Sequence, residues 1–384
     1  MQPQTLLNLQ EHLTLSARMN YLLAAREPQH GEILSHVLGD AEVFGSTSAV
    51  EAGVGFLGFA YQNRNRKLGP LAVLHPLRTA HLLSLATEQP SDIDLLTAFL
   101  HDYYEDIYTS ECKTDMQREL EARMNTVAQH FSPEQQDQLE YRLQTLTKLK
   151  SEQYHEYLGR LMDESRYCTE IIWVKLADRL DNTFDMRVVE DNSTEDFFRE
   201  LFDILFLRHE VKSHLRPKRP KGAPIDEAHR LFQMFKNVVF LSLVRRSELD
   251  QVNLPAQRLF HALTEASIHE TGRILMHIFS HDIVDVKKQR QLIFEVIDYS
   301  QDGGLNRITP ARRGHRLDGL FQERFDHADR GRREAALREL QHDKELMTVS
   351  ALAFLGVFES FFSSSSFRLG GVRETGLTDE DTLA

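Results

Sequence analysis

Apolar residues recur at helical spacing along almost the whole chain, and alternating strand-like runs are scarce. A chain written this way must bury helical faces against one another, so the expected fold class is all-α. The clearest helical segments cover residues 92–106, 113–130, 133–150, 152–165, 170–189, 227–246 and 254–298. Ser91 followed by Asp94 reads as a capping box that opens the first of these. Pro76 suits the first turn of a further helix, which places His75 at that helix's entrance.

Two breaks divide the pattern. Residues 215–224 hold Pro217, Pro220, Gly222 and Pro224 among Arg216, Lys218, Arg219 and Lys221, a sequence that cannot continue a helix and stays solvated. Residues 301–316 carry Gly303, Gly304, Pro310 and Gly314. With 384 residues the chain can hold two or three domains. The expected division is an N-terminal helical extension at 1–48, a helical domain at 49–214, a basic linker at 215–224, a second helical domain at 225–362 and a frayed tail at 363–384.

Charge excludes some functions. The 45 basic and 58 acidic side chains leave a net charge of -13, the wrong sign for gripping nucleic acid or an anionic membrane. A polyanionic ligand must then meet a local basic site. Cys112 and Cys168 are too few for a disulfide scaffold and fit a reducing compartment. Residues 1–13 lack the basic start and apolar core of a signal peptide. Residues 350–367 are apolar but include Glu359 and four consecutive serines, a poor membrane span. The expectation is a soluble, cytoplasmic protein with no nucleic-acid or membrane partner.

Chemistry concentrates in two segments. Residues 92–106 are apolar around most of the helix and end in His101, Asp102, Glu105 and Asp106. Helical spacing would set His101 over Glu105 and Asp102 over Asp106. Three carboxylates so close repel one another and are costly to bury, two problems that a divalent cation resolves. In the second segment, Ile172, Leu176 and Leu180 form an apolar row, with Asp178, Asp181, Asn182 and Asp185 on a separate polar stripe. Alone, such a stripe is ordinarily a solvated face; beside the earlier histidines it becomes a candidate ligand helix.

The order His75, His101-Asp102, Asp178 resembles that of the HD phosphohydrolase superfamily. Residues 50–190 further resemble the hydrolase domain of RelA/SpoT-type alarmone enzymes. Four blocks carry the resemblance: Arg66-Lys67-Leu68-Gly69-Pro70 with His75-Pro76; Phe99-Leu100-His101-Asp102 with Glu105-Asp106; Thr147-Lys148-Leu149; and Val174-Lys175-Leu176-Ala177-Asp178-Arg179-Leu180 with Asn182. The resemblance implies an HD-domain helical bundle with an additional C-terminal helical domain. It implies that His75, His101, Asp102 and Asp178 bind one metal ion, typically Mn²⁺, a ligand set that also suits Fe²⁺. Glu105 and Asp106 would orient or deprotonate the attacking water. Arg66 and Lys67 would hold the nucleotide, Asn182 would lie near the ribose, and Lys148 would contact phosphate. The implied reaction removes the 3′-pyrophosphate from (p)ppGpp, giving GDP or GTP.

The chain departs from that pattern at Asp181, where the family usually has His, at Thr183-Phe184-Asp185 and at Tyr103-Tyr104. These changes spare the metal ligands and the acid pair but fall near the expected nucleotide pocket, so another phosphorylated nucleotide is an alternative substrate. A second alternative is a helical regulator that binds alarmone without turning it over, against which the intact Glu105-Asp106 pair argues. No stretch resembles a synthetase domain. The helices after residue 223 can pack on the catalytic domain, form a homo-oligomer, or both. His281-Asp282 lacks a following Glu-Asp pair and reads as a helix end. The arginines between Arg307 and Arg333 are the densest basic region, of a kind that usually pairs with acidic neighbours.

Overall fold

The structure, a computed structural model, describes residues 6–23, 30–38, 48–62, 64, 71–87, 89–109, 114–186, 226–309 and 314–377. The fold is all-α: among the described residues the sole paired strands are β1 (Val372–Arg373) and β2 (Gly376–Leu377), an antiparallel pair. Arg66, Lys67 and the basic linker at 215–224 lie outside the described residues. The chain divides into two compact units, the first of Met1–Lys148 and Glu164–Pro224, the second of Leu149–Asp163 and Ile225–Ala384.

In the first unit the helices are α1 (Leu9–Leu23), α2 (His30–Leu38), α3 (Ser48–Ala60), α4 (Leu74–Thr87), α5 (Asp92–Leu100), α6 (Thr114–Ala128), α7 (Pro133–Leu146) and α9 (Glu170–Phe184). α4 packs against α5 and α9. Their sequences explain this centre: Leu77, Leu82 and Leu83 of α4, Leu96 and Leu100 of α5, and Ile171, Ile172 and Leu180 of α9 are fully buried. Each such side chain contributes about 2 kcal/mol of apolar transfer energy, enough to hold polar groups among them. The capping box is present, with the Asp94 amide donating to Ser91 Oγ and the Ser91 amide to Asp94 Oδ2. Asp94 also accepts from Arg142 Nη1 at 2.6 Å, tying the start of α5 to α7.

Three expectations are corrected here. First, the 92–106 segment is not one α-helix: α5 ends at Leu100, and Tyr103–Ile107 forms a π-helical turn. Second, the 254–298 segment is two helices, α12 (Leu254–His281) and α13 (Val286–Gln301), because Asp285 caps the second by accepting from the Lys287 amide. Third, the stretch read as a frayed tail is packed as far as Leu377, with Leu369 and Val372 buried. Gly159 accommodates it, since a Cβ there would stand 2.8 Å from the Glu374 carbonyl oxygen.

That contact belongs to α8 (Tyr154–Glu164), whose residues up to Asp163 fall in the second unit and not, as the sequence division had it, with 49–214. Its buried face is Tyr157, Leu158, Leu161 and Met162, and Lys236 of α10 (Glu227–Arg246) lies over the Tyr154 ring. The unit is completed by α11 (Leu249–Val252), α14 (Arg330–His342) and α15 (Lys344–Ser363). α15 is long and apolar enough to cross a membrane by length and composition, yet Phe354, Val357, Phe358 and Phe361 are fully buried within the protein, as in a core helix. In the arginine-rich region, Arg316 meets Glu295, Arg324 meets Glu339, and Arg307 lies 3.5 Å from Asp318.

Asp226 caps α10 and also accepts from His229, whose other ring nitrogen meets Glu334 at 2.9 Å. The Asp226 bond, opposed by partial burial and helped by Glu334, pushes His229 from 6.5 up to about 9. A raised value means that the charged ring stabilises the fold fully below its unfolded value and loses this effect as pH rises through about 9. His229→Gln is therefore expected to lower the melting temperature at pH 6, with the gap to wild type closing by about pH 10. Melting curves across that range check it, and a constant gap would contradict it.

Candidate metal centre

Three helices bring the sequence-predicted ligands together. His75 stands at the start of α4, His101 follows the last residue of α5, and Asp178 lies midway along α9. All three are buried, and one ligand atom from each lies within 4.8 Å of the others, a group that could hold a metal ion. His75 Nε2 is 3.2 Å from His101 Nε2 and 3.2 Å from Asp178 Oδ1. Asp102 Oδ2 joins them at 3.4 Å from each imidazole nitrogen.

Hydrogen bonds behind the rings decide what these atoms offer. His101 Nδ1 lies 2.8 Å from the Ala98 carbonyl oxygen, and His75 Nδ1 lies 2.6 Å from Asp181 Oδ2. Both partners only accept, so each Nδ1 carries a proton and Nε2 is the atom each ring turns inward, a lone-pair donor wherever a cation takes the place of its proton. Two Nε2 atoms and two carboxylate oxygens thus converge on one small volume. An octahedral ion with bonds of about 2.1 Å has ligand–ligand edges of about 3.0 Å, close to the separations here. Nitrogen and oxygen donors in this mixture suit Mn²⁺ or Fe²⁺ better than a thiolate zinc site.

Electrostatics point the same way. Burial alone would push the His101 ring down, but Asp102 and Asp178 pull it well above its ordinary value. Burial would raise Asp178, yet Lys175 and the two histidines hold it well below the usual carboxylate range. Asp102 is likewise lowered against burial, by His101 and His75. Positive charge on or beside these carboxylates is therefore favoured.

The wide π turn places the remaining acids. Tyr108 N–H donates to the Tyr103 carbonyl at 2.7 Å, and Asp102 has φ -94° and ψ 12°, in the bridge region between helix and strand. Glu105 does not sit over His101 as α-helical spacing suggested; its Oε1 accepts from the Lys148 amide at 2.7 Å. Burial, opposed by that amide and reinforced by Asp102 and Asp178, raises the Glu105 carboxyl. Asp106 is exposed, and its carbonyl accepts from the Arg64 guanidinium. Lys148 thus takes part through its backbone. Asn182 donates from Nδ2 to Asp178 Oδ1 at 2.5 Å, and Lys175 Nζ lies 2.8 Å from Asp178 Oδ2. Both polar neighbours brace a candidate ligand from its own helix.

The acidic stripe of α9 is not a solvated face: Asp178, Asp181 and Asp185 are all buried. Arg78, and its pairing with Asp181 behind the cluster, were not read from the sequence. Arg78, itself fully buried, donates from Nε to Asp181 Oδ1 at 2.7 Å and from Nη2 to Asp181 Oδ2 at 3.0 Å. The signal was available: Arg78 lies one turn after His75, and Asp181 one turn after Asp178. Of the departures at the π turn, Tyr103 is buried against Phe56 and Tyr104 donates to Glu140 Oε1, so both serve packing. No protein-family model matches the chain, and no curated protein or solved structure matches it either.

The second His-Asp dipeptide provides a control. His281 is exposed, and Asp282 pairs with Lys344 Nζ at 3.2 Å. His101→Ala is expected to weaken Mn²⁺ binding by more than the roughly 10–100-fold typical of outer-shell changes, whereas His281→Ala leaves it unchanged. Equilibrium dialysis of both variants against Mn²⁺ checks this; equal affinities would remove His101 from the ligand set.

Proposed function

We propose that this chain is a metal-dependent phosphohydrolase of the HD type that removes the 3′-pyrophosphate from (p)ppGpp, giving GDP or GTP and pyrophosphate. The observation that carries the reading is the convergence of two Nε2 lone pairs with the Asp102 and Asp178 carboxylates, one turn before Glu105 and Asp106. His75, His101, Asp102 and Asp178 would hold the ion, read as Mn²⁺. When bound, it supplies a water of lowered pKa and neutralises charge on the phosphoryl group.

The chain's own groups do the rest. In this reading Asp106, exposed on the π turn, would take the proton of the attacking water, and Glu105, which accepts from the Lys148 amide, would orient that water. The water oxygen bonds to the inner phosphorus of the pyrophosphate, the bond from that phosphorus to O3′ breaks, and the ribose oxygen takes up a proton. Lys175, paired with Asp178, would add positive charge at the centre. The paucity of cysteines and the burial of α15 accord with a cytoplasmic, soluble setting.

One observation favours a second reading, in which the same centre acts on another phosphorylated nucleotide. Asn182, which the alarmone resemblance would set near the ribose, instead donates to Asp178.

Asp106→Asn is expected to lower kcat by about 10²–10⁴-fold while Mn²⁺ and nucleotide binding persist. Product analysis with Mn²⁺ and ppGpp, beside a panel of 3′- and 5′-phosphorylated nucleotides, checks both points. Undiminished turnover in that variant would contradict the role given to Asp106. Turnover of a different nucleotide alone would select the second reading, and tight ppGpp binding by the wild type without turnover would leave a sensor.

A further inference from the structure

Two facing helices carry the same spacing twice. On α4, Arg78 follows His75 by one turn; on α9, Asp181 follows Asp178 by one turn. The first member of each pair belongs to the candidate metal cluster, and the second members form a fork-to-carboxylate ion pair directly behind it. One bond joins the two layers, His75 Nδ1 to Asp181 Oδ2 at 2.6 Å. Around Arg78 the structure adds Ser16 Oγ of α1 at 3.2 Å from Nη1 and Asp185 Oδ1 at 3.3 Å from Nη2. Ser16 Oγ in turn donates to the His12 carbonyl within α1.

A buried Arg–Asp pair is a poor device for stability alone, since well-packed apolar residues of similar volume usually do as well or better. This pair does something apolar residues cannot. A carboxylate clamped on both oxygens by one guanidinium has a fixed plane, and it accepts the His75 Nδ1 proton along a fixed direction. That bond selects the ring tautomer and the ring orientation together, as carboxylates behind metal-bound histidines do. α1, whose hydroxyl reaches Arg78, then belongs to the centre's support and is more than an N-terminal extension.

We infer that Arg78 and Asp181 are positioning residues for the metal centre, a buried pair that holds His75 with Nε2 aimed at the ion and is backed by Ser16 of α1. This rests on the metal-centre reading above.

The test uses the full chain, Mn²⁺ alone as probe, and two variants. Arg78→Met with Asp181→Leu removes both charges and the Nδ1 acceptor while keeping an apolar interior. Asp181→Asn keeps an acceptor for Nδ1–H but not the charge, and serves where the double variant fails to fold. Free Mn²⁺ is counted by its electron paramagnetic resonance signal, and the His75 tautomer is read in the metal-free protein by ¹⁵N NMR, the signal being assigned through His75→Gln. The double variant is expected to bind Mn²⁺ about 10–100-fold more weakly and to lose the Nδ1–H form of His75, with Asp181→Asn in between. A folded variant of either kind with wild-type affinity, or a double variant that keeps the Nδ1–H form, would overturn the positioning role while leaving the metal centre standing. A wild-type chain that binds no Mn²⁺ would overturn the metal-centre reading, and this inference with it.

Discussion

The site depends on where two imidazoles send their Nδ1 protons. With one committed to the Ala98 carbonyl and the other to Asp181, both rings turn Nε2 to the same small volume, beside Asp102 and Asp178. The two carboxylates favour positive charge beside them, whether carried by a ring proton or by a cation. The arrangement is therefore coherent as a candidate cation site.

Helix geometry supplies the convergence. His75 lies in the first turn of α4, His101 just past the end of α5 and Asp178 within α9, so the centre draws on one helix start, one helix end and one helix interior. Packing of α4 against α5 and α9 through fully buried leucines and isoleucines fixes their relative positions. The end of α5 is where the backbone departs from regularity, and the π turn there sends Glu105 and Asp106 out toward exposed positions while Asp102 stays at the metal cluster. One irregular turn thus separates the candidate ligands from the candidate acid pair.

Much of this was legible in the sequence. Apolar periodicity reports burial directly, and it gave the all-α class. Histidines and aspartates in the order His75, His101-Asp102, Asp178 pointed to one cluster, and three of those side chains do meet. What escaped depended on partners distant in sequence. Asp181 looks like surface charge until Arg78, on another helix, is placed against it. The α-helical rule set His101 over Glu105 because spacing alone does not reveal a turn that widens. The helix at Tyr154–Glu164 could not be assigned to its unit from its own residues, since the strand pair it meets lies two hundred residues on, around Glu374. Arg66 and Lys67 fall outside the described residues, so nucleotide contact by that loop stays a sequence expectation.

The central claim is that two histidines and two aspartates share one ion. Pulsed electron paramagnetic resonance of the chain loaded with one equivalent of Mn²⁺ tests it most directly, because nitrogen couplings count the imidazoles bound. The account requires couplings from two imidazole nitrogens, falling to one in His75→Gln. A fully hydrated Mn²⁺ spectrum, or nitrogen couplings that survive in that variant unchanged, would contradict it.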